Sequence, residues 1–153
     1  MATSGTSGVF AREYDFGRAV EIGFAGGRAI AVSFPERVPD DATGDHELLD
    51  RIGDALDGDP EPFDDVEIGL TVPTDQRRVL EALRELPVGE SSSLSRLTRL
   101  AGLDDNDAED LELVTRALRE NPLPVILPDH RVEGGPYATP ADVRERLRDA
   151  EGL

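Results

Sequence analysis

Cysteine and tryptophan are absent from this 153-residue chain, methionine occurs once, and all 16 of its basic residues are arginine. Without cysteine there are no disulfides, no thiolate metal ligands and no thiol nucleophile, so sulfur-based group transfer is excluded. The two histidines, His46 and His130, fall in different expected domains. That leaves no ligand set for a transition metal, and neither a metal nor a cofactor is expected. No apolar run approaches the roughly 20 residues that cross a bilayer. Residues 1–8 are polar and lack the charged and apolar regions of a signal peptide, so a soluble, cytoplasmic protein with no membrane partner is expected.

What the chain has in excess is acid. Thirty-three Asp and Glu residues against 16 arginines leave a formal net charge of −17. A lysine-free, aspartate-rich surface fits adaptation to molar salt, where carboxylates hold water and cations and their repulsion is screened. A haloarchaeal source is expected. Molar salt also removes most of the counterion-release drive for nucleic-acid binding, so the negative charge does not exclude a DNA partner. Residues 1–73 carry 16 acids and 5 arginines, and residues 74–153 carry 17 and 11. The second half is the less acidic.

Along the chain, Val20, Ile22 and Phe24 alternate with polar or small residues, residues 25–28 turn the chain, and Ile30, Val32 and Phe34 alternate again. This predicts a β-hairpin with one buried face, beside which residues 9–16 add a strand. A helix is expected from Asp45, with Leu48, Leu49, Ile52 and Leu56 on one stripe, Gly58 as its stop and His46 as a solvated residue near its start. Val66, Ile68, Leu70 and Val72 alternate as a further strand. Residues 1–73 therefore read as a small α/β lobe built on an antiparallel sheet.

Pro73 marks a boundary. Thr74 is placed to cap a helix with Val79, Leu83 and Leu86 inward. Ser93 to Ala101 predicts a short helix ending at Gly102, and Asp107 opens a third with Leu111, Val114 and Leu118 inward. A glycine turn between short extended pieces follows over 131–137. This order predicts a winged helix-turn-helix domain over residues 74–153, and an α/β (α+β) chain overall. A closing helix follows Thr139, read as its cap, and Pro140, with Val143, Leu147 and Ala150 inward and Arg144, Arg146 and Arg148 as a solvated face.

One stretch carries chemistry. Residues 121–132, Asn-Pro-Leu-Pro-Val-Ile-Leu-Pro-Asp-His-Arg-Val, join a proline-punctuated apolar run to a Pro-Asp-His-Arg-Val box. A buried extended segment thus delivers Asp129 and His130 side by side. On the residues alone these two are open to three roles: a structural ion pair, recognition groups, or an acid–base pair.

The box resembles the Pro-Cys-His-Arg-Val active-site box of the alkylguanine-DNA alkyltransferases, which move an alkyl group from guanine to their own cysteine. Val79-Leu80-Glu81-Ala82-Leu83 and Pro87-Val88-Gly89 are similar to the opening of that family's DNA-binding domain. Leu56-Asp57-Gly58 and Phe63 are similar to its N-terminal domain, and Glu151-Gly152 to its C-terminal end. The resemblance implies that Asn121 braces the active-site turn and that His130 and Glu151 form a proton-relaying pair. With no thiol to activate, that pair is expected to lock the C-terminal helix onto the box. The resemblance also implies that Tyr137, Asp129 and Arg131 line a base pocket and that Glu112, Leu113 and Arg116 lie on the DNA-binding helix. At the acceptor cysteine stands Asp129. A carboxylate is a far weaker nucleophile toward alkyl carbon than a thiolate, so no methyl transfer is expected.

Other positions depart from the family too. Its stack-entering arginine falls at Glu112, the small residue after it at Leu113, a helix glycine at Thr115, and a base-rotating tyrosine at Leu94. Three readings follow. The first, a catalytically silent monomer that still holds double-stranded or alkylated DNA in repair, is the expectation. The second is an interaction or regulatory domain that kept the fold and lost DNA binding, with an exposed Leu113 meeting a protein partner. The third is an enzyme using Asp129 and His130 as acid and base on another substrate.

Overall fold

Gly26 and Gly27, with φ of 60° and 82°, make the two-residue turn that joins β2 (Arg18–Ala25) to β3 (Arg28–Ser33). Two successive positive φ values match the right-handed twist of the flanking strands and favour glycine. β1 (Gly8–Tyr14) pairs antiparallel with the other side of β2, giving the order β1-β2-β3. The computed structural model describes residues 7–153, so the first six residues of the polar start lie outside the described residues.

Val20, Ile22 and Val32 are buried on the inner face as their alternation requires. Beyond them the expected phase breaks. A register shift at Gly23/Phe24 pairs Phe24 with Ala29, so Ala29 is buried and Ile30 stands 40% exposed. A bulge of this kind puts one residue out of phase with its neighbours.

α1 (Glu47–Leu56) buries Leu48, Leu49, Ile52, Ala55 and Leu56. It starts later than expected because His46 is its N-cap, Nδ1 accepting the Leu48 N–H at 3.0 Å. His46 is therefore a half-buried capping residue rather than a free surface one. Its ring stacks on Phe24 with centroids 4.5 Å apart and meets Phe10 edge-on at 4.8 Å. Gly53 sits where a Cβ would come within 2.8 Å of the Tyr14 ring, whose hydroxyl donates to Leu49 O at 2.6 Å.

The strand expected at 66–72 does not form. Ile68 makes a single parallel bridge to Ala29, through Ala29 N to Glu67 O at 3.0 Å and Gly69 N to Ala29 O at 2.9 Å. The bulged Ile30 packs onto Gly69, and a ladder cannot continue past it in phase.

α2 (Thr74–Leu83) has Pro73 as its N-cap with no side-chain bond, so Thr74 is the first helical residue and not the cap. Ser93 and Asp107 do cap α3 (Leu94–Leu100) and α4 (Ala108–Arg119), accepting from Arg96 N and Glu109 N. Gly102, at φ 79°, turns the chain from α3 toward α4. The three helices pack on one another and bury Val79, Leu83, Leu97, Val114 and Leu118. The wing is slight: Val132 bridges Ser92, and residues 133–137 pair with no strand.

α5 (Ala141–Glu151) buries Val143 and Leu147 and packs against α1. Its arginines are exposed at Arg146 and half-buried at Arg144 and Arg148, and each also makes a specific contact. Arg144 lies over the Tyr137 ring at 4.2 Å, Arg146 lies over Phe16 at 4.0 Å, and Arg148 Nη1 donates to His130 O at 2.7 Å. Arg18 grips Asp142 through two bonds, at 3.0 and 2.7 Å, and Val32 N donates to Pro122 O at 2.8 Å. These ties join the first lobe to the second over one contiguous apolar core. Among the described residues, no helix is long and apolar enough to cross a membrane, and no group of three or more potential metal ligands occurs.

Candidate functional site around Asp129

α4 ends where prolines begin. Pro122 and Pro124 lack the N–H a helix needs, and each restricts the residue before it to extended backbone. Asn121 then organises the return. Its Oδ1 accepts the Leu123 N–H at 2.9 Å, and its Nδ2 donates to Leu127 O at 3.0 Å. Leu127 N closes on Leu123 O at 2.8 Å, with Val125 between them at φ 79°. A β-branched residue in the left-handed region costs about 1–3 kcal/mol. Full burial of Leu123, Ile126 and Leu127 around it holds the conformation. The box that follows is a 3₁₀ turn over Asp129–Arg131 rather than the end of an extended segment.

Asp129 is fully buried, and both of its oxygens are occupied. Oδ1 accepts the Thr139 hydroxyl at 2.6 Å. Oδ2 accepts the amides of Ala138 at 2.8 Å and Thr139 at 3.3 Å, with Asn121 Nδ2 at 3.4 Å. Burial pushes this carboxyl above its ordinary range, and the Thr139 hydroxyl and the Ala138 amide pull against it. Thr139, read as the cap of α5, gives its hydroxyl to Asp129 instead, and Pro140 is the N-cap.

His130 makes no ion pair with Asp129. Its Nε2 meets Glu151 Oε2 at 2.7 Å. Glu151 also accepts Arg131 Nε at 2.8 Å, Arg131 Nη2 at 3.1 Å and the Gly89 amide at 3.0 Å. Burial opposes its ionisation, but His130, Arg131 and the Gly89 N–H together hold its pKa down at about 2. An ionised carboxylate only accepts, which assigns the proton of that contact to His130 Nε2. His130 Nδ1 is buried and without a hydrogen-bond partner. Arg131 balances the charge of Glu151 inside the buried cluster.

Arg131, expected at a base pocket, directs Nη1 to Leu86 O at 2.8 Å and its other donors to Glu151. Tyr137 donates its hydroxyl to Val132 O at 2.7 Å and is covered on one ring face by Arg144. Residues 112, 113 and 116 lie apart from the box. Glu112, Leu113 and Arg116, with Ala108 and Glu109, line a cleft of about 340 Å³ on α4. Glu112 and Arg116 are exposed, while Leu113 is half-buried rather than exposed.

The arrangement thus brings together Asn121, Asp129, His130, Arg131 and Glu151 and leaves the α4 residues as a separate surface. Sequence reasoning missed Thr139, Arg148 and Gly89 as parts of the box. Thr139 followed by proline reads as a helix cap, and nothing local marks its hydroxyl as the partner of a carboxylate ten positions earlier. Chemically, a buried carboxylate with both oxygens hydrogen-bonded is a poor nucleophile, and the His130–Glu151 pair has no thiol to activate.

Comparison with known proteins gives a consistent result. The profile of the family described as "6-O-methylguanine DNA methyltransferase, DNA binding domain" matches residues 74–152. A methylated-DNA–protein-cysteine methyltransferase from Methanothermobacter thermautotrophicus is 32% identical over 112 residues, 69% of this chain and 60% of that protein. The match thus spans about three-fifths of the curated relative. The fold is similar to that of Mycobacterium tuberculosis O6-methylguanine methyltransferase, with a TM-score of 0.72 and 22% identity over 94% of this chain and 93% of that one. A structure of the M. tuberculosis OGT in complex with DNA matches equally well, with a TM-score of 0.72 and 21% identity over 94% and 92%. The O6-methylguanine-DNA methyltransferase of Pyrococcus kodakaraensis gives a TM-score of 0.68 and 19% identity over 95% and 100%.

Proposed function

Because the chain belongs to the 6-O-methylguanine DNA methyltransferase family, we propose that it is a member that binds double-stranded DNA and transfers no alkyl group. Residues 74–153 act as the winged-helix DNA-binding domain and residues 1–73 as the lobe that braces it. In this reading the protein works as a cytoplasmic monomer in the recognition step of DNA repair.

The observation that carries the reading is Asp129. By the resemblance of the box we read it at the acceptor position, in a chain with no cysteine, and its carboxylate is buried with both oxygens hydrogen-bonded. Asn121, His130, Arg131 and Glu151 then act as scaffold, fixing α5 and the preceding turn on the helix-turn-helix.

A second reading has its own observation. The α4 cleft presents Leu113 among Glu109, Glu112 and Arg116, a mixed apolar and net acidic surface that suits a protein partner. One experiment separates the two. In molar KCl, the protein is titrated with a duplex bearing one O6-methylguanine and with its undamaged twin, and methyl uptake is followed for the protein and for Asp129→Cys. Duplex binding without methyl uptake by the unaltered protein is expected. Methyl uptake by the unaltered protein overturns the silent reading, and a folded protein that binds neither duplex leaves the interaction domain.

A further inference from the structure

The side chain of Asp129 occupies a site that the rest of the fold has already built. Two consecutive backbone amides, those of Ala138 and Thr139, converge on its Oδ2 at 2.8 and 3.3 Å. Successive N–H groups aimed at one point form a concave anion-binding nest. The Thr139 hydroxyl adds a donor to the second oxygen at 2.6 Å, and Asn121 Nδ2 a longer one at 3.4 Å.

The elements that carry these donors are also held by contacts other than those to Asp129. Asn121 is fixed by Leu123 N and Leu127 O. The segment carrying Ala138 and Thr139 is held before it by Tyr137, bonded to Val132 O, and after it by Pro140 and the start of α5. No arginine touches the carboxylate, so recognition rests on neutral donors placed for two oxygens in one plane. Donors preorganised in a desolvated site are costly to leave without an acceptor.

We propose that these groups form an oxygen-binding pocket for a small monocarboxylate, filled in the intact chain by the carboxylate of Asp129 as an intramolecular ligand. The box is therefore self-occupied. It offers its donors to an incoming oxygen only when the Asp129 side chain is displaced or removed. This holds whether or not the protein binds DNA.

The test uses the full chain carrying Asp129→Gly, which clears the pocket down to the backbone, with sodium formate as the probe against sodium chloride at equal ionic strength. Formate is expected to raise the Tm of the variant saturably and to leave the unaltered protein unchanged. Adding Thr139→Val is expected to weaken the formate affinity about tenfold, the worth of one lost donor bond. A non-saturable rise, or an equal rise in the unaltered protein, overturns the proposal. If Asp129→Gly does not fold, the unaltered protein decides by amide hydrogen exchange: the Ala138 and Thr139 amides are expected to be protected as strongly as core amides. Exchange of either within seconds shows that the carboxylate does not fill the pocket.

Discussion

Arg131 Nε lies 2.8 Å from Glu151 Oε1, and this pair, rather than one between Asp129 and His130, carries the charge of the box. Twenty residues separate the partners, and both side chains are almost wholly buried. The last residue of α5 is thereby tied to the turn that follows the proline run. Removing one partner of a buried pair leaves the other uncompensated, which is costly, typically about 3–5 kcal/mol. Glu151→Gln is expected to destabilise the protein by about that amount in urea unfolding at pH 7.

The same carboxylate sets an acid limit. Its folded pKa of about 2 lies below the usual value near 4.3 for an unfolded glutamate. The stabilisation is fully present above the unfolded value and is lost as pH falls through the folded one. A shift of this size corresponds to about 3 kcal/mol. The stability gap between the unaltered protein and Glu151→Gln should therefore narrow between pH 5 and pH 2. A gap that stays constant over this window would show that Glu151 is not held ionised by Arg131 and His130.

The Asp129–Thr139 contact predicts a contrast between two small substitutions. Thr139→Val keeps the shape and removes the hydroxyl, leaving Oδ1 without its donor at a cost of about 1–3 kcal/mol. Thr139→Ser keeps the donor and is expected to lose less than half as much. Equal losses in the two variants would assign the residue to packing alone.

Gly53 offers a test in which two effects oppose each other. Replacing glycine by alanine inside a helix ordinarily stabilises by about 1 kcal/mol. Here the new Cβ would lie 2.8 Å from the Tyr14 ring, and overpacking of this kind costs about 1–3 kcal/mol. Gly53→Ala should therefore destabilise, whereas in a Tyr14→Leu background the same change should stabilise. Thermal unfolding of the two single variants and the double variant measures the sign directly.

How much of this was legible in the sequence follows from the range of each interaction. The helix starts at Ser93 and Asp107 were readable to within a residue because a cap is decided within three residues. Thr74 and Thr139 met the same pattern and failed it, because Pro73 and Pro140 take the cap positions. Ile30 followed its alternation perfectly and still points outward, since a bulge is set by pairing across strands and leaves no local mark. The box itself was legible as a motif, with its Asn121 brace and its His130–Glu151 pair. What Asp129 does there was not, because its partners Ala138 and Thr139 are placed by a loop whose course no periodicity encodes. Burial of Arg131 was hidden for a related reason: only the fold brings Leu86 O and Glu151 to its two sides.

The α4 surface yields the prediction that bears most directly on function. Glu112 is exposed on the helix that the DNA-binding reading places toward the duplex, where a negative side chain faces phosphate. Glu112→Arg exchanges a repulsion for a phosphate contact, so duplex affinity should rise. The slope of log K against log salt concentration should also steepen by about 1. Leu113→Arg, one position on and half-buried, should act in the same direction but less strongly. Fluorescence anisotropy with a labelled duplex over a KCl series reads both quantities. If neither variant moves affinity or slope while both stay folded, α4 does not face DNA, and the Leu113 cleft is left to the interaction-domain reading.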